Sequence, residues 1–81
     1  MTSAVIEVDL HGLRLDEARE RIDEALRQAD MSVYRVRVIH GFNNGTAIRD
    51  MIFQEYRWHM KVIRIAGGQN RGQTDLILRE Y

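Results

Sequence analysis

Val5-Ile6-Glu7-Val8-Asp9-Leu10-His11-Gly12 and Val33-Tyr34-Arg35-Val36-Arg37-Val38-Ile39-His40-Gly41 decide how this chain folds. Each starts as an alternating apolar run and ends in a histidine followed by a glycine. In the first, Ile6, Val8 and Leu10 share one side, while Val5, Glu7 and Asp9 share the other. In the second, Tyr34, Val36 and Val38 oppose Val33, Arg35, Arg37 and Ile39. A period of two over this length is the signature of a half-buried strand. A helix-like segment follows each glycine. Strand-to-helix turns are where α/β folds place their ligands, and the following helix offers unpaired N–H groups to an anion.

Working outward, Leu15, Ala18, Ile22, Ala25, Leu26 and Ala29 form an apolar stripe at helical spacing. They predict a helix from about Leu15 to Ala29, with Asp16 and Glu17 at its positive end. Arg14 stands where a Ser or Thr cap would, so the start of this helix is expected to be less well fixed. A second helix is expected from Asn44–Thr46 to about Trp58, burying Ile48, Met51, Ile52 and Tyr56. Lys61 to Ala66 and Thr74 to Arg79 read as two further strands. They are joined by a loop too short for a crossover helix. The order is βαβαββ. Right-handed crossovers put both helices on one face, giving a two-layer α/β sandwich. The open face should carry Glu7, Arg35, Arg37, Arg64 and Arg79, with Val5, Ile39, Val62 and Ile77 among them.

The chain has 81 residues, room for one domain with its core at about 4–80. It has no cysteine, which excludes disulfides and thiolate chemistry and fits a reducing, cytoplasmic setting. No run suits a membrane span, and the N-terminus lacks a signal-peptide pattern. Twelve basic and twelve acidic residues cancel. Bulk charge therefore gives no argument for nucleic-acid binding; only its distribution can. The acids concentrate on the helices and the arginines on the strands. Arg35 and Arg37 are therefore candidate nucleic-acid contacts, although a solvated sheet face explains them equally well.

Asp9 and His11 stand two apart at a strand end. A carboxylate beside an imidazole fixes its tautomer and favours the imidazolium, as a general base or acid requires. The plainer reading is that Asp9 ties the turn and His11 packs. If the two strands are parallel neighbours, His11 and His40 flank one cleft. One histidine could then activate a ribose 2′-hydroxyl and the other protonate the leaving oxygen, whereas DNA would need water, usually metal-activated. A metal held by Asp9, His11 and His40 would be a sparse site without a spacing signature, so none is assigned. Gly12 permits the sharp exit from the first strand. Gly41 to Gly45, with Asn43 and Asn44, could turn N–H groups inward as an anion nest supported by Arg49. Phe42 could stack on a base or staple the second helix. Arg71, in the stretch Gly67 to Gln73, suits a phosphate or base edge. His59 reads as a helix C-terminal cation or packing residue.

From Val5 to Glu80 the chain resembles the Smr (small MutS-related) domain. The box Val8-Asp9-Leu10-His11-Gly12 carries the resemblance, with His40-Gly41 as a partial second box and the glycine-rich tail before Thr74-Asp75-Leu76-Ile77-Leu78. Where the family has Gly-x-Gly, this chain has Gly41-Phe42-Asn43, and the next glycine is Gly45. The resemblance implies a four-stranded mixed sheet with its last strand antiparallel and two helices on one face. It also implies a nucleic-acid-binding domain, of a kind that in several members nicks DNA or cleaves RNA. With the paired histidines, the expectation is endonuclease activity, on RNA more than DNA, through Asp9, His11 and His40. The alternative is a non-catalytic nucleic-acid-binding or protein-interaction module. No cofactor is expected, with Mg²⁺ or Mn²⁺ as the alternative. The expected partner is nucleic acid, bound by a monomer or presented by a larger complex such as the ribosome.

Overall fold

β1 (Ala4–Asp9) lies parallel to β2 (Val33–Ile39), and α1 (Leu15–Gln28) makes the crossover between them. The computed structural model describes residues 4–41, 46–68 and 70–80. α2 (Ala47–Glu55) follows β2, and β3 (Arg64–Gly67) and β4 (Gln73–Ile77) complete the order βαβαββ. The sheet order is β1-β2-β4-β3, with β4 antiparallel to both neighbours. A short connection permits only a hairpin between β3 and β4, so the last strand returns and inserts beside β2. Ala18, Ile22, Ala25 and Leu26 of α1 and Met51 and Ile52 of α2 share one buried cluster with Val36, Val38 and Leu76. Both helices therefore cover the same face of a mixed four-stranded sheet, as the pattern predicted.

The amphipathic stripe of α1 forms as expected, except that Leu15 stays partly exposed at the first turn. Arg14 is the N-cap and contributes no capping side chain. Glu17 compensates: its Oε1 accepts the Arg14 backbone N–H at 3.0 Å, half of a capping box. At the other end, Lys61 donates from Nζ to the carbonyls of Leu26 and Ala29, where helical carbonyls lack partners. α2 is shorter than expected and ends at Glu55. Its C-cap, Tyr56, is buried and donates its hydroxyl to Asp23 Oδ1 at 2.6 Å, pinning α2 to α1. Burial, then the Asp23 carboxylate, pushes the Tyr56 phenol up.

β3 differs most from the expectation. Lys61, Val62 and Ile63 precede it instead of forming its first half. Val62 packs into the helix-side core and Ile63 is exposed, the reverse of the expected alternation. The reason is a turn: Val62 N–H donates to the His59 carbonyl at 3.0 Å, and Lys61 N–H to His59 Nδ1 at 3.1 Å. Strand alternation sets side-chain direction only once pairing begins at Arg64.

The helix-free face carries Glu7, Arg35 and Arg37, in register with Asp75 and Ile77 of β4. Asp75 is 2% exposed and its Oδ2 accepts Arg35 Nη1 at 2.9 Å, while Arg37 Nε stands 3.7 Å from Oδ1. Glu7 lies 3.9 Å from Arg37, and Arg64 pairs with Glu80. Arg79 runs toward Met31, with Nη2 2.7 Å from its sulfur. The expected basic face is thus an interleaved one, with Asp75 at its centre.

Candidate functional site

Parallel pairing brings the two histidine boxes to one end of the sheet, because Asp9 sits opposite Ile39 in register. Leu10 N–H donates to the Ile39 carbonyl at 2.7 Å, which holds the two strand ends together past the last ladder pair. Gly12 and Gly41 both adopt left-handed backbone, φ +78° and +73°. Any other residue there would be strained, which is why each box turns on a glycine. A Cβ on Gly41 would stand 3.6 Å from the His11 Cβ, so the second box lies against the first histidine.

Asp9 and His11 form a solvent-exposed pair. Asp9 Oδ1 lies 2.6 Å from His11 Nδ1 and also accepts the His11 backbone N–H at 3.1 Å. A carboxylate can only accept, so Nδ1 carries the proton and Nε2 is left with a lone pair in the neutral ring. The hydrogen bond to Asp9, with its charge, holds the His11 imidazole above its ordinary pKa. The same bond holds the Asp9 carboxyl below its own. The side chains are 55% and 73% exposed for Asp9 and His11, so the pair can meet a large ligand.

His40 is placed differently. It is 8% exposed, with Nδ1 2.6 Å from the Gly41 carbonyl and Nε2 2.8 Å from Thr74 Oγ1. A carbonyl only accepts, so Nδ1 donates, and Nε2 accepts the Thr74 hydroxyl proton in the neutral ring. Both ring nitrogens have partners inside the protein. The backbone reinforces this: the Gly72 carbonyl accepts N–H bonds from His40 at 2.9 Å and Gly41 at 3.1 Å. The tail and the second box are clasped together, and Thr74, which sequence reasoning passed over, is half of that clasp. Its signal was weak, a lone threonine 34 positions from its partner.

A cleft of about 320 Å³ opens beside the pair, lined by Gly12 to Leu15, His40 and Ala47 to Arg49. The N-termini of α1 and α2 both border it, and each brings positive dipole and unpaired N–H groups. Arg14 and Arg49 add their guanidiniums. Arg49 also lies 5.4 Å over the Phe53 ring and 3.9 Å from Asp50. Arg14 is a second residue that sequence reasoning treated only as a missing cap. Arg71 is exposed in the β3–β4 turn, and Arg35 and Arg37 stand back from the strand tips on the helix-free face. Asn43, Asn44 and Gly45, with Phe42, lie outside the described residues. Among the described residues, no group of three or more His, Cys, Asp or Glu side chains could hold a metal ion.

The sequence profile of the Smr domain matches residues 8–78. The chain is 40% identical to an Endonuclease MutS2 from Exiguobacterium sibiricum, over 88% of this chain but only 9% of that protein. It therefore spans about a tenth of the length of this relative. Its fold superposes on the crystal structure of the Smr domain of Thermus thermophilus MutS2 with a TM-score of 0.82 and 31% identity. That match covers 93% of this chain and 99% of the other. With the profile covering most of its length, the chain belongs to the Smr domain family.

Proposed function

We propose that this Smr domain binds nucleic acid at the strand tips and cuts RNA there, with Asp9 and His11 carrying the chemistry. The observation that supports this best is the exposed Asp9–His11 pair, one residue before the cleft framed by two helix N-termini. Asp9 fixes the Nδ1–H tautomer, and His11 Nε2 takes the proton of a ribose 2′-hydroxyl. The 2′-oxygen attacks the adjacent phosphorus, and the bond from phosphorus to the 5′-oxygen breaks. The products are a 2′,3′-cyclic phosphate and a 5′-hydroxyl, whose proton comes from solvent. The helix N-termini, Arg14 and Arg49 stabilise the charge that builds on the phosphoryl oxygens. Gly12 and Gly41 let the backbone approach the phosphate, and Arg71, Arg35 and Arg37 extend the contact along the strand. His40 is a positioning residue in this reading, not the second acid–base group, because both its nitrogens already have partners.

RNA is preferred to DNA because it carries its own nucleophile and one free imidazole suffices to activate it. The kinship with an Endonuclease MutS2 supports a nuclease role. The second reading is a domain that binds without cutting, and the engagement of His40 favours it. Labelled RNA and DNA incubated with the protein, with and without EDTA, separate the possibilities. Cutting of RNA that survives EDTA and leaves a cyclic or 3′-phosphate supports the proposal. Cutting abolished by EDTA and restored by Mg²⁺ or Mn²⁺ would replace it with a metal mechanism. A gel shift without cutting would leave the binding module.

A further inference from the structure

Among the described residues, the four most exposed large apolar side chains all lie in the turns before β2 and β3. Met31 is 74% exposed, Trp58 79%, Met60 94% and Ile63 56%. These turns enter the sheet at the end opposite Asp9 and His11, because β2 and β3 run parallel, each antiparallel to β4 between them. Single exposed apolar residues need no explanation, but four of them at one end, a tryptophan included, do. The chain from Arg57 to Arg64 reads Arg-Trp-His-Met-Lys-Val-Ile-Arg, four cationic or imidazole side chains and no carboxylate, on a protein of zero net charge. Arg57 lies 5.0 Å over the Trp58 ring and, among the described residues, makes no ion pair with a carboxylate. A groove of about 250 Å³ beside Met60 has Lys61 and Arg79 in its lining against one carboxylate, Asp30.

We propose that this turn is a second contact for single-stranded nucleic acid, in which Trp58 stacks on a base while Arg57 and Arg79 attract the backbone. The charge argues for this partner. A protein-docking patch has a core depleted of charge, whereas here cations alternate with the apolar groups. An exposed aromatic ring among cations is the arrangement that holds unpaired bases without regard to sequence. The turn and the Asp9–His11 pair lie at opposite ends of the sheet, so a strand held at both runs from one end of the sheet to the other. This rests on the reading of the domain as a nucleic-acid binder, and it adds where a substrate beyond the scissile phosphate goes.

Trp58 is the chain's one tryptophan, so its fluorescence reports on this turn alone. The His11→Ala protein, which should leave the strand intact, is titrated with oligouridylate long enough to span the molecule. The expected result is saturable quenching of tryptophan emission, with an affinity that falls steeply with salt. Trp58→Ala should weaken binding of a fluorescently labelled oligouridylate about 5- to 150-fold, as loss of one stacked base does, and Trp58→Phe should recover most of it. Cutting of a dinucleotide, too short to reach the turn, should be unchanged in both. Binding of the labelled strand with no change in Trp58 emission and no loss in Trp58→Ala would overturn the second contact and leave the strand-tip site standing. A blue shift of Trp58 emission that grows with protein concentration, without nucleic acid, would assign the patch to self-association. No binding by any measure would remove this contact and the proposed function together.

Discussion

Asp9 acts on His11 through a single oxygen, and that contact sets what the imidazole can do. Because the carboxylate raises the His11 pKa, the neutral base is the major form only above the ordinary histidine range. RNA cutting should therefore rise with pH through a midpoint above about 6.5 and then level off. Asp9→Asn should fold normally, cut more slowly and move that midpoint to lower pH; a pH–rate profile, with the His11 ring titrated by NMR, checks both. A bell-shaped profile would instead return a second acid–base group to the chemistry. Thr74 offers a separate test. Thr74→Val removes the hydroxyl that His40 Nε2 meets in a buried setting and should cost about 1–3 kcal/mol in urea unfolding. Gly41→Ala should cost about 1–2 kcal/mol by the same measurement, since its φ of +73° is strained for alanine.

At the scale of elements, Asp75 is the residue that orders the helix-free face. It lies nearly fully buried between Arg35 and Arg37, which are themselves about a quarter to a third exposed. Asp75→Ala would leave two guanidiniums crowded without their acid and should destabilise the fold by about 3 kcal/mol, the low end of the ~3–5 typical for breaking a buried pair. Thermal or urea unfolding reads this, and Arg35→Ala, removing a more exposed partner, should cost less. β1, α1 and β2 were legible in the sequence because their apolar periodicity runs unbroken over several turns or pleats. β3 was not, because Val62 and Ile63 are both apolar and alternation cannot tell which one faces inward. The turn closed by His59 decides that, and its hydrogen bonds leave no pattern in hydrophobicity. Asp75 was not singled out for a related reason: a lone carboxylate in a strand leaves no pattern that reports its burial between two arginines of another strand.

At the scale of the whole molecule, the sheet has two distinct ends. The C-terminal ends of β1 and β2 gather the Asp9–His11 pair, two left-handed glycines and two helix N-termini. The boxes announced this gathering in sequence, since parallel neighbours must end together. What they did not announce was the division between the histidines. Among the described residues His11 hydrogen-bonds through its ring only to its neighbour Asp9 and stays open to solvent, whereas His40 is fixed by Thr74 of β4 and by Gly72 in the turn before it, and the place of β4 beside β2 emerges only from the fold. The central claim is that the exposed histidine, not the buried one, carries the reaction. Single-turnover cutting of a labelled RNA by His11→Ala measures it most directly, with substrate binding followed in parallel by gel shift. The account predicts a rate lower by about 10²–10⁴-fold with binding largely kept. Cutting by His11→Ala at the wild-type rate would contradict it.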